Sequence, residues 1–485
     1  MTLNENPQQP ALSVQDIVKA TGGTIIGRRT ETVFQGISTD SRQTVKGNLF
    51  IPLTGETFDG HDFIGNAIKE GAAGYLIQKG SEKKTPHLDK HITAISVEDT
   101  LKALGDIANF WRRKLATTII AITGSSGKTT TKEMIACIAS LTKKVVKAEG
   151  SFNNFVGLPL TIMRIAEQHD VAILEMGTNR PGEIRRLTQI AEPDIGLITN
   201  IGPAHLEGLK SIEAVKEEKC DLFRNMAKEG IAVINCDDEN LYRPENFWQE
   251  KRVLFGFRTY ADVSASNVRR KGVDGVRFTL TIGGNQDNIA LATVGNHNIY
   301  NALAAAAISR ALGIEYHVIR RGLRAFKPVT GRMEIYRLTN GAFVIDDTYN
   351  ANPASVREAL KTLKELKGRH RSTVIMGDML ELGNQAEAMH EEIGSLMADT
   401  EIDTIYLRGR LSHATAAGAL KRNMSKNRIF FFEHQDEVIP GLMSNLKKGD
   451  WILVKGSRKM HMEEIVHKIV DTFGLGKERR NEERY

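Results

Sequence analysis

Residues Thr117–Thr123 form a β-branched apolar run that leads without a break into Gly124-Ser125-Ser126-Gly127 and Lys128-Thr129-Thr130, the start of a helix read over Thr129–Leu141. No other stretch limits the fold as tightly. A run apolar at every position needs a sheet covered on both faces, while small residues let the chain curl and aim successive N–H groups at one point. The partial positive charge of a helix start adds to that point. The loop Thr123–Thr130 is therefore expected to hold the phosphates of ATP, with Gly124, Ser125, Ser126 and Gly127 supplying backbone donors. Lys128 brings a charge to the β- and γ-phosphates and Thr129 a hydroxyl to Mg²⁺. Ile122 stands where the longer phosphate-loop pattern has its first glycine, so the match is to a compact T-G-x-x-G-K-T form.

The alternation continues on both sides. Apolar runs at Val171–Met176, Ile195–Asn200 and Ile231–Asn235, with a helix over Ser211–Ala227, read as further buried strands of one parallel sheet. A β-rich stretch, Val253–Val294, precedes a helix at Asn298–Leu312. After Pro328, strands at Ala342–Asp346, Thr373–Gly377, Thr404–Arg408, Ile429–Phe432 and Trp451–Lys455 alternate with helices such as Ser355–Leu366 and Glu387–Met397, a second doubly wound unit. Ahead of the loop, a helix at Leu12–Ala20 closed by Gly22-Gly23, strands at Gly36–Thr39, Leu49–Pro52 and Gly74–Ile77, and a helix at Phe63–Glu70 form a smaller α/β unit. With 485 residues the chain exceeds one core. The expected architecture is three α/β domains over 1–113, 114–329 and 330–485.

Charge narrows the partners. The 65 basic residues outnumber 59 acidic ones by six, but the two signs are mixed along most of the chain. The densest basic stretch, Lys477–Arg484, also carries acids, so the excess suits anionic small substrates rather than nucleic acid. Cys137, Cys220 and Cys236 show no C-x-x-C spacing, which disfavours a disulfide framework or structural zinc and fits a reducing cytosol. The opening MTLNENPQQPALS has no signal-peptide pattern, and no apolar run approaches membrane-spanning length. A cytoplasmic monomer without membrane insertion is expected.

Several polar residues sit where a parallel sheet presents ligand contacts. Glu175 ends the run Val171–Met176, a natural place for a Mg²⁺ ligand, and His205 follows another strand in NIGPAHLEG; a loop acid and a structural histidine are the plainer readings. Asn153 and Asn154 stand in SFNNFVGLP, and Asn298 and Asn301 share one helical face, with helix capping by Asn296 as the plainer use of that segment. Arg332 lies at the expected junction in VTGR, placed to swing onto a γ-phosphate. FVIDDTYNANP then supplies Asp346, Asp347, Tyr349, Asn350 and Asn352. A rival from another class is a P-loop NTPase switch or nucleic-acid motor, and no basic aromatic groove is evident to support it.

Taken in order, TGSSGKTTTKE, SFNNFVGLP, LEMGTNRPGEI, NIGPAHLEG, GNHNIYNALAA, GRME and DDTYNANP resemble the Mur ligase family, ATP-dependent amide-forming enzymes of bacterial cell-wall synthesis. The resemblance runs nearly end to end. It implies a UDP-substrate domain, a central ATPase domain and a C-terminal Rossmann-like domain. STDSR, FDGHDF, EMGTNRPGEI and YNANP point to the branch that adds D-alanyl-D-alanine to UDP-N-acetylmuramoyl-tripeptide, and no D-N-P-R tetrapeptide of the diamino-acid-adding sibling occurs. Folylpolyglutamate synthetase, which shares the loop, glutamate and histidine elements, is the nearest rival.

The resemblance also implies roles. Lys128 and Thr129 engage triphosphate and Mg²⁺, and Glu175 and His205 look like ligands of a second metal. Lys219, in EEKCDLF, matches a lysine that family members carbamylate. Asn301 resembles the adenine-reading amide, Arg332 the γ-phosphate cation and Asp347 a nucleotide contact. Ser38, Thr39, Asp40, Ser41 and Arg42 would hold the uridine end. Asn153, Asn154 and Thr178 would face the sugar-peptide, and Tyr349, Asn350 and Asn352 the dipeptide.

Overall fold

The computed structural model describes residues 10–26, 31–84, 92–150, 152–242 and 251–476. The first nine residues, Ser151 and the basic stretch Lys477–Arg484 lie outside the described residues. Three large sheets organise the remainder, each flanked by helices, as the periodicities imply.

The central sheet has nine strands. Its parallel part runs from Val145–Lys147 through Val171–Glu175, Thr118–Thr123, Ile195–Ile198, Ile231–Asn235 and Arg252–Gly256 to Val263–Arg270. Val276–Ile282 and Asn285–Leu291 extend it antiparallel, so the β-rich stretch is an extension of this sheet. Alternate residues of Thr118–Thr123 enter different cores. Ile119 and Ala121 pack with Leu174, Leu187 and Leu222, whereas Ile120 and Ile122 pack with Ile173, Ile135 and Leu303. That period of two explains why every position in the run is apolar. The helix Asn296–Ala311 is buried nearly all round, which accounts for its alanine run. Among the described residues no helix is long and apolar enough to cross a membrane.

The last sheet has six strands, parallel except where Glu334–Arg337 pairs antiparallel with Phe343–Asp347. Trp451–Lys455 inserts between Phe343–Asp347 and Ser372–Gly377. The first unit carries a five-stranded sheet ordered Thr24–Ile25, Thr93–Val97, Gly74–Gln78, Leu49–Phe50 and Ile37–Ser38. A helix the sequence reading does not name, Thr100–Arg112, ties this unit to the centre. Its N-cap Asp99 accepts from the Lys102 N–H, its Trp111 Nε1 donates to the Ile165 carbonyl at 2.9 Å, and its Asp106 takes Arg186 at 2.6 Å.

Candidate active site

The carboxyl ends of the central and last parallel sheets face a shared cleft of about 980 Å³, the position a doubly wound sheet reserves for ligands. On the central side the strand Thr118–Thr123 turns through Gly124 and Gly127 into the helix Lys128–Ala139. Both glycines are obligatory there. They have φ of 144° and 84°, and a Cβ on them would lie 1.9 Å from Thr199 Oγ1 and 2.3 Å from Asn301 Oδ1. Asn200, which sequence reasoning passed over, fastens the loop from below. Its Oδ1 accepts the Ser126 N–H at 3.0 Å, and its Nδ2 donates to the Ser126 carbonyl at 3.1 Å.

The side chains of the loop converge on hard oxygen donors. Thr129 Oγ1 donates to Glu175 Oε2 at 3.0 Å, and Asn153 Nδ2 holds the other carboxylate oxygen at 3.2 Å. Lys128 Nζ rests on the Gly124 carbonyl at 2.7 Å, its own loop. Burial pushes the Lys128 ammonium below its ordinary pKa, opposed by the Glu175 charge. A hydroxyl and a carboxylate side by side at the foot of a phosphate loop suit Mg²⁺, which needs few protein ligands and keeps its waters. Among the described residues no cluster of three or more His, Cys, Asp or Glu forms a closed metal cage.

Across the cleft the last unit reaches onto the loop. Arg332 Nη2 donates to Thr129 Oγ1 at 3.1 Å while its guanidinium lies 3.9 Å from the Tyr349 ring centre, and its buried Nε has no partner. Asn352 caps the helix Pro353–Lys367 and also donates from Nδ2 to the Ser125 carbonyl at 3.2 Å. Asp347 is bound by the buried Lys455, which donates further to the Asn350 carbonyl at 2.9 Å. The lone lysine in WILVKGS is the signal by which Lys455 could have been found. Arg458 donates its N–H to Asn350 Oδ1 and pairs with Glu463.

His205 stands in a left-handed conformation (φ 56°), and its Nδ1 lies 2.7 Å from Glu381 of the last unit. Burial lowers the His205 pKa, against the pull of Glu381, and the hydrogen bond from His205 holds the Glu381 carboxyl below its usual range. Lys219 lies behind the cleft, buried, with no hydrogen bond or ion pair at its Nζ among the described residues. Burial, and then the charge of Lys128, lower its pKa to about 7. The neighbouring Glu218 is committed elsewhere, to Thr178 Oγ1 and the Gly182 and Ile184 N–H groups.

Other residues singled out in the sequence are placed differently. Asn301 and Asn298 do share a face, since Asn301 Nδ2 donates to Asn298 Oδ1 at 3.0 Å, and Thr131 donates to Asn301 at 3.2 Å. Both line the cleft, and Asn301 also buttresses Gly127. Asn296 does not cap its helix; its Oδ1 accepts from Arg270. Asn154 accepts the Val156 and Gly157 N–H groups and borders the cleft. Ser38, Thr39, Asp40, Ser41 and Arg42 lie away from it, where Arg42 and Asp40 close a loop by three hydrogen bonds.

Comparison with known proteins decides the family. The Mur ligase middle domain matches residues 122–309, the Mur ligase glutamate ligase domain 331–458, and the Mur ligase family catalytic domain 33–112. The chain is 35% identical over 461 residues to the UDP-N-acetylmuramoyl-tripeptide–D-alanyl-D-alanine ligase of Bacillus subtilis, covering 95% of this chain and 98% of that one. The chain belongs to the Mur ligase family. Among solved structures, MurF from Acinetobacter baumannii superposes with a TM-score of 0.86 at 29% identity, over 96% of this chain and all of that one. MurF ligase from Thermotoga maritima, solved with ADP, gives 0.80 at 27% identity over 90% of this chain and 97% of that one. Three α/β domains around a nucleotide loop are thus a family property, as the motif order implied.

Proposed function

We infer that the protein is an ATP-dependent ligase that joins D-alanyl-D-alanine to UDP-N-acetylmuramoyl-tripeptide, giving the pentapeptide, ADP and phosphate for peptidoglycan synthesis. The observation that carries this reading is the cross-domain closure on the phosphate loop. Arg332 reaches Thr129, and Asn352 reaches Ser125, both from the domain whose own strand ends complete the cleft. A switch needs only the loop. A ligase must also bring a carboxylate onto the γ-phosphate and an amine onto the acyl phosphate so formed, and keep water out.

The division at residues 113 and 329 is part of the proposal. The Ser125 and Ser126 N–H groups are taken by Asn200, so the loop N–H groups of Gly124 and Gly127 to Thr130, with Lys128 and Arg332, would grip the triphosphate, the unpartnered Nε of Arg332 supporting an anion there. The γ-phosphoryl passes in line to the substrate carboxylate, so that phosphate rather than hydroxide later leaves. The dipeptide amine attacks the acyl phosphate, and the tetrahedral adduct collapses to the amide. Thr129 and Glu175 would hold Mg²⁺, which supplies charge neutralisation at the phosphoryl oxygens. Lys219 fits carbamylation, because an amine with a pKa of about 7 has about half its population neutral and nucleophilic toward CO₂ at neutral pH, and the carbamate replaces the remaining unpaired buried cation. His205 would join it at a second metal. Asn298, Asn301 and Asp347 would serve the nucleoside, and Ser38, Thr39, Asp40, Ser41 and Arg42 the uridine end. Asn153, Asn154 and Thr178 would hold the sugar-peptide, and Tyr349, Asn350 and Asn352 the dipeptide.

The test is phosphate release from ATP with Mg²⁺ and UDP-N-acetylmuramoyl-tripeptide, with and without D-alanyl-D-alanine, the product mass being read in parallel. Release that requires the dipeptide, with the pentapeptide mass, is expected. Release indifferent to the dipeptide overturns the ligase reading.

A further inference from the structure

Resting on the ligase reading, the charge inventory of the cleft assigns a seat to one end of the incoming dipeptide. Its amine must reach the acyl phosphate, so its carboxylate must lie on the third-domain side, and a carboxylate leaving water needs a cation. Six lysines and arginines line the cleft. Lys128 rests on Gly124, Arg332 on Thr129 and Tyr349, Lys455 on Asp347, and Arg458 on Glu463. Arg410 and Lys459 alone have no hydrogen bond or ion pair among the described residues, Lys459 feeling Glu381 only as a more distant charge, and both side chains are exposed to the cleft.

They are held as a pair by one framework. Arg410 follows the strand Thr404–Arg408 through Gly409, whose φ is 114° and whose Cα packs on Asp378. The Asp378 carboxylate accepts the Leu411 N–H at 3.2 Å, and its carbonyl accepts the Ser457 N–H at 3.1 Å. Ser457 in turn accepts the Leu380 N–H and opens the short 3₁₀ turn that carries Lys459. Arg408 Nη1 also donates to the Met460 carbonyl. The two cations therefore project from loops tied through Asp378 and Ser457, at strand ends on either side of Ser372–Gly377, into the cleft that the phosphate loop also lines. We propose that Arg410 and Lys459 bind the terminal carboxylate of the amine substrate and so select a free-acid dipeptide.

The experiment compares D-alanyl-D-alanine with its C-terminal amide as acceptor, in the wild-type protein and in Arg410→Ala, Lys459→Ala and the double variant. The wild type is expected to prefer the free acid in kcat/KM by roughly 10- to 100-fold. The double variant should lose most of that preference through a raised dipeptide KM, with the KM for ATP within about twofold of wild type, and Arg410→Lys should recover part of it. A double variant that keeps the full preference overturns the assignment, as does one whose KM for ATP rises as much as that for the dipeptide. A wild type that ligates both acceptors equally also overturns it while leaving the ligase reading intact. A wild type that ligates neither acceptor removes the ligase reading itself.

Discussion

At the scale of single residues, the site sets charges against burial. Lys128 has no carboxylate partner of its own and sits on its loop carbonyl, so removing it should cost the transition state far more than the fold. Lys128→Ala is expected to lower kcat by about 10²–10³ while changing the melting temperature by no more than a degree or two; steady-state kinetics beside a thermal melt checks both. Lys219 behaves in the opposite way. Its pKa in the fold, about 7, lies below the ordinary lysine value of 10.5, so between those values the unfolded chain binds more protons than the folded one. Stability of the metal-free protein should therefore rise with pH across that window, with the full penalty present below it. Lys219→Met, though inactive, should melt several degrees above wild type at pH 6 and lose that advantage near pH 10. A difference independent of pH would contradict an unmodified, unpaired amine. The residues legible in the sequence are those whose chemistry is local, such as the loop, Glu175 beside it and the paired aspartates. Glu381 and Asn200 are not, because each gains its meaning from a partner, His205 or Ser126, that folding brings from elsewhere.

At the scale of elements, helix starts serve twice. Asn352 both caps Pro353–Lys367 and reaches the phosphate loop. Asn352→Ala should lose both functions, costing about 1 kcal/mol of stability. Asn352→Ser keeps a capping oxygen but has no donor long enough for Ser125. It should therefore melt like wild type yet show a several-fold lower kcat/KM for ATP, and equal activity of the Ser variant and wild type would show that the contact is idle. The parallel strands were readable because both of their faces are buried, which leaves runs with few polar interruptions. The amphipathic helices Thr100–Arg112, Glu183–Ala191, Tyr316–Ala325 and Glu463–Phe473 escaped the sequence reading. Their apolar faces are defined by neighbours from other units or distant strands, as Gly105 against Ile190 illustrates.

At the scale of the whole molecule, the third domain is closed over the loop. Arg332 on Thr129, Asn352 on Ser125, Glu381 on His205, the Glu207 N–H on the Glu381 carbonyl, and Arg270 with Glu365 all bridge it to the centre. All five are polar contacts, the kind that lets domains open and close. Glu381→Ala combined with Arg270→Ala should raise the radius of gyration measured by solution X-ray scattering without nucleotide, and a non-hydrolysable ATP analogue should reverse most of the change. Identical scattering from the variant and wild type would mean that closure rests elsewhere.

On the proposed route, ATP held at Thr123–Thr130 activates a carboxylate rather than meeting water. Supplying the muramoyl tripeptide with ¹⁸O in its reacting carboxylate tests this directly, by the mass of the phosphate released on amide formation. One ¹⁸O carried into phosphate is the expected result. Phosphate free of that label, with its new oxygen drawn from solvent, would contradict the acyl-phosphate account.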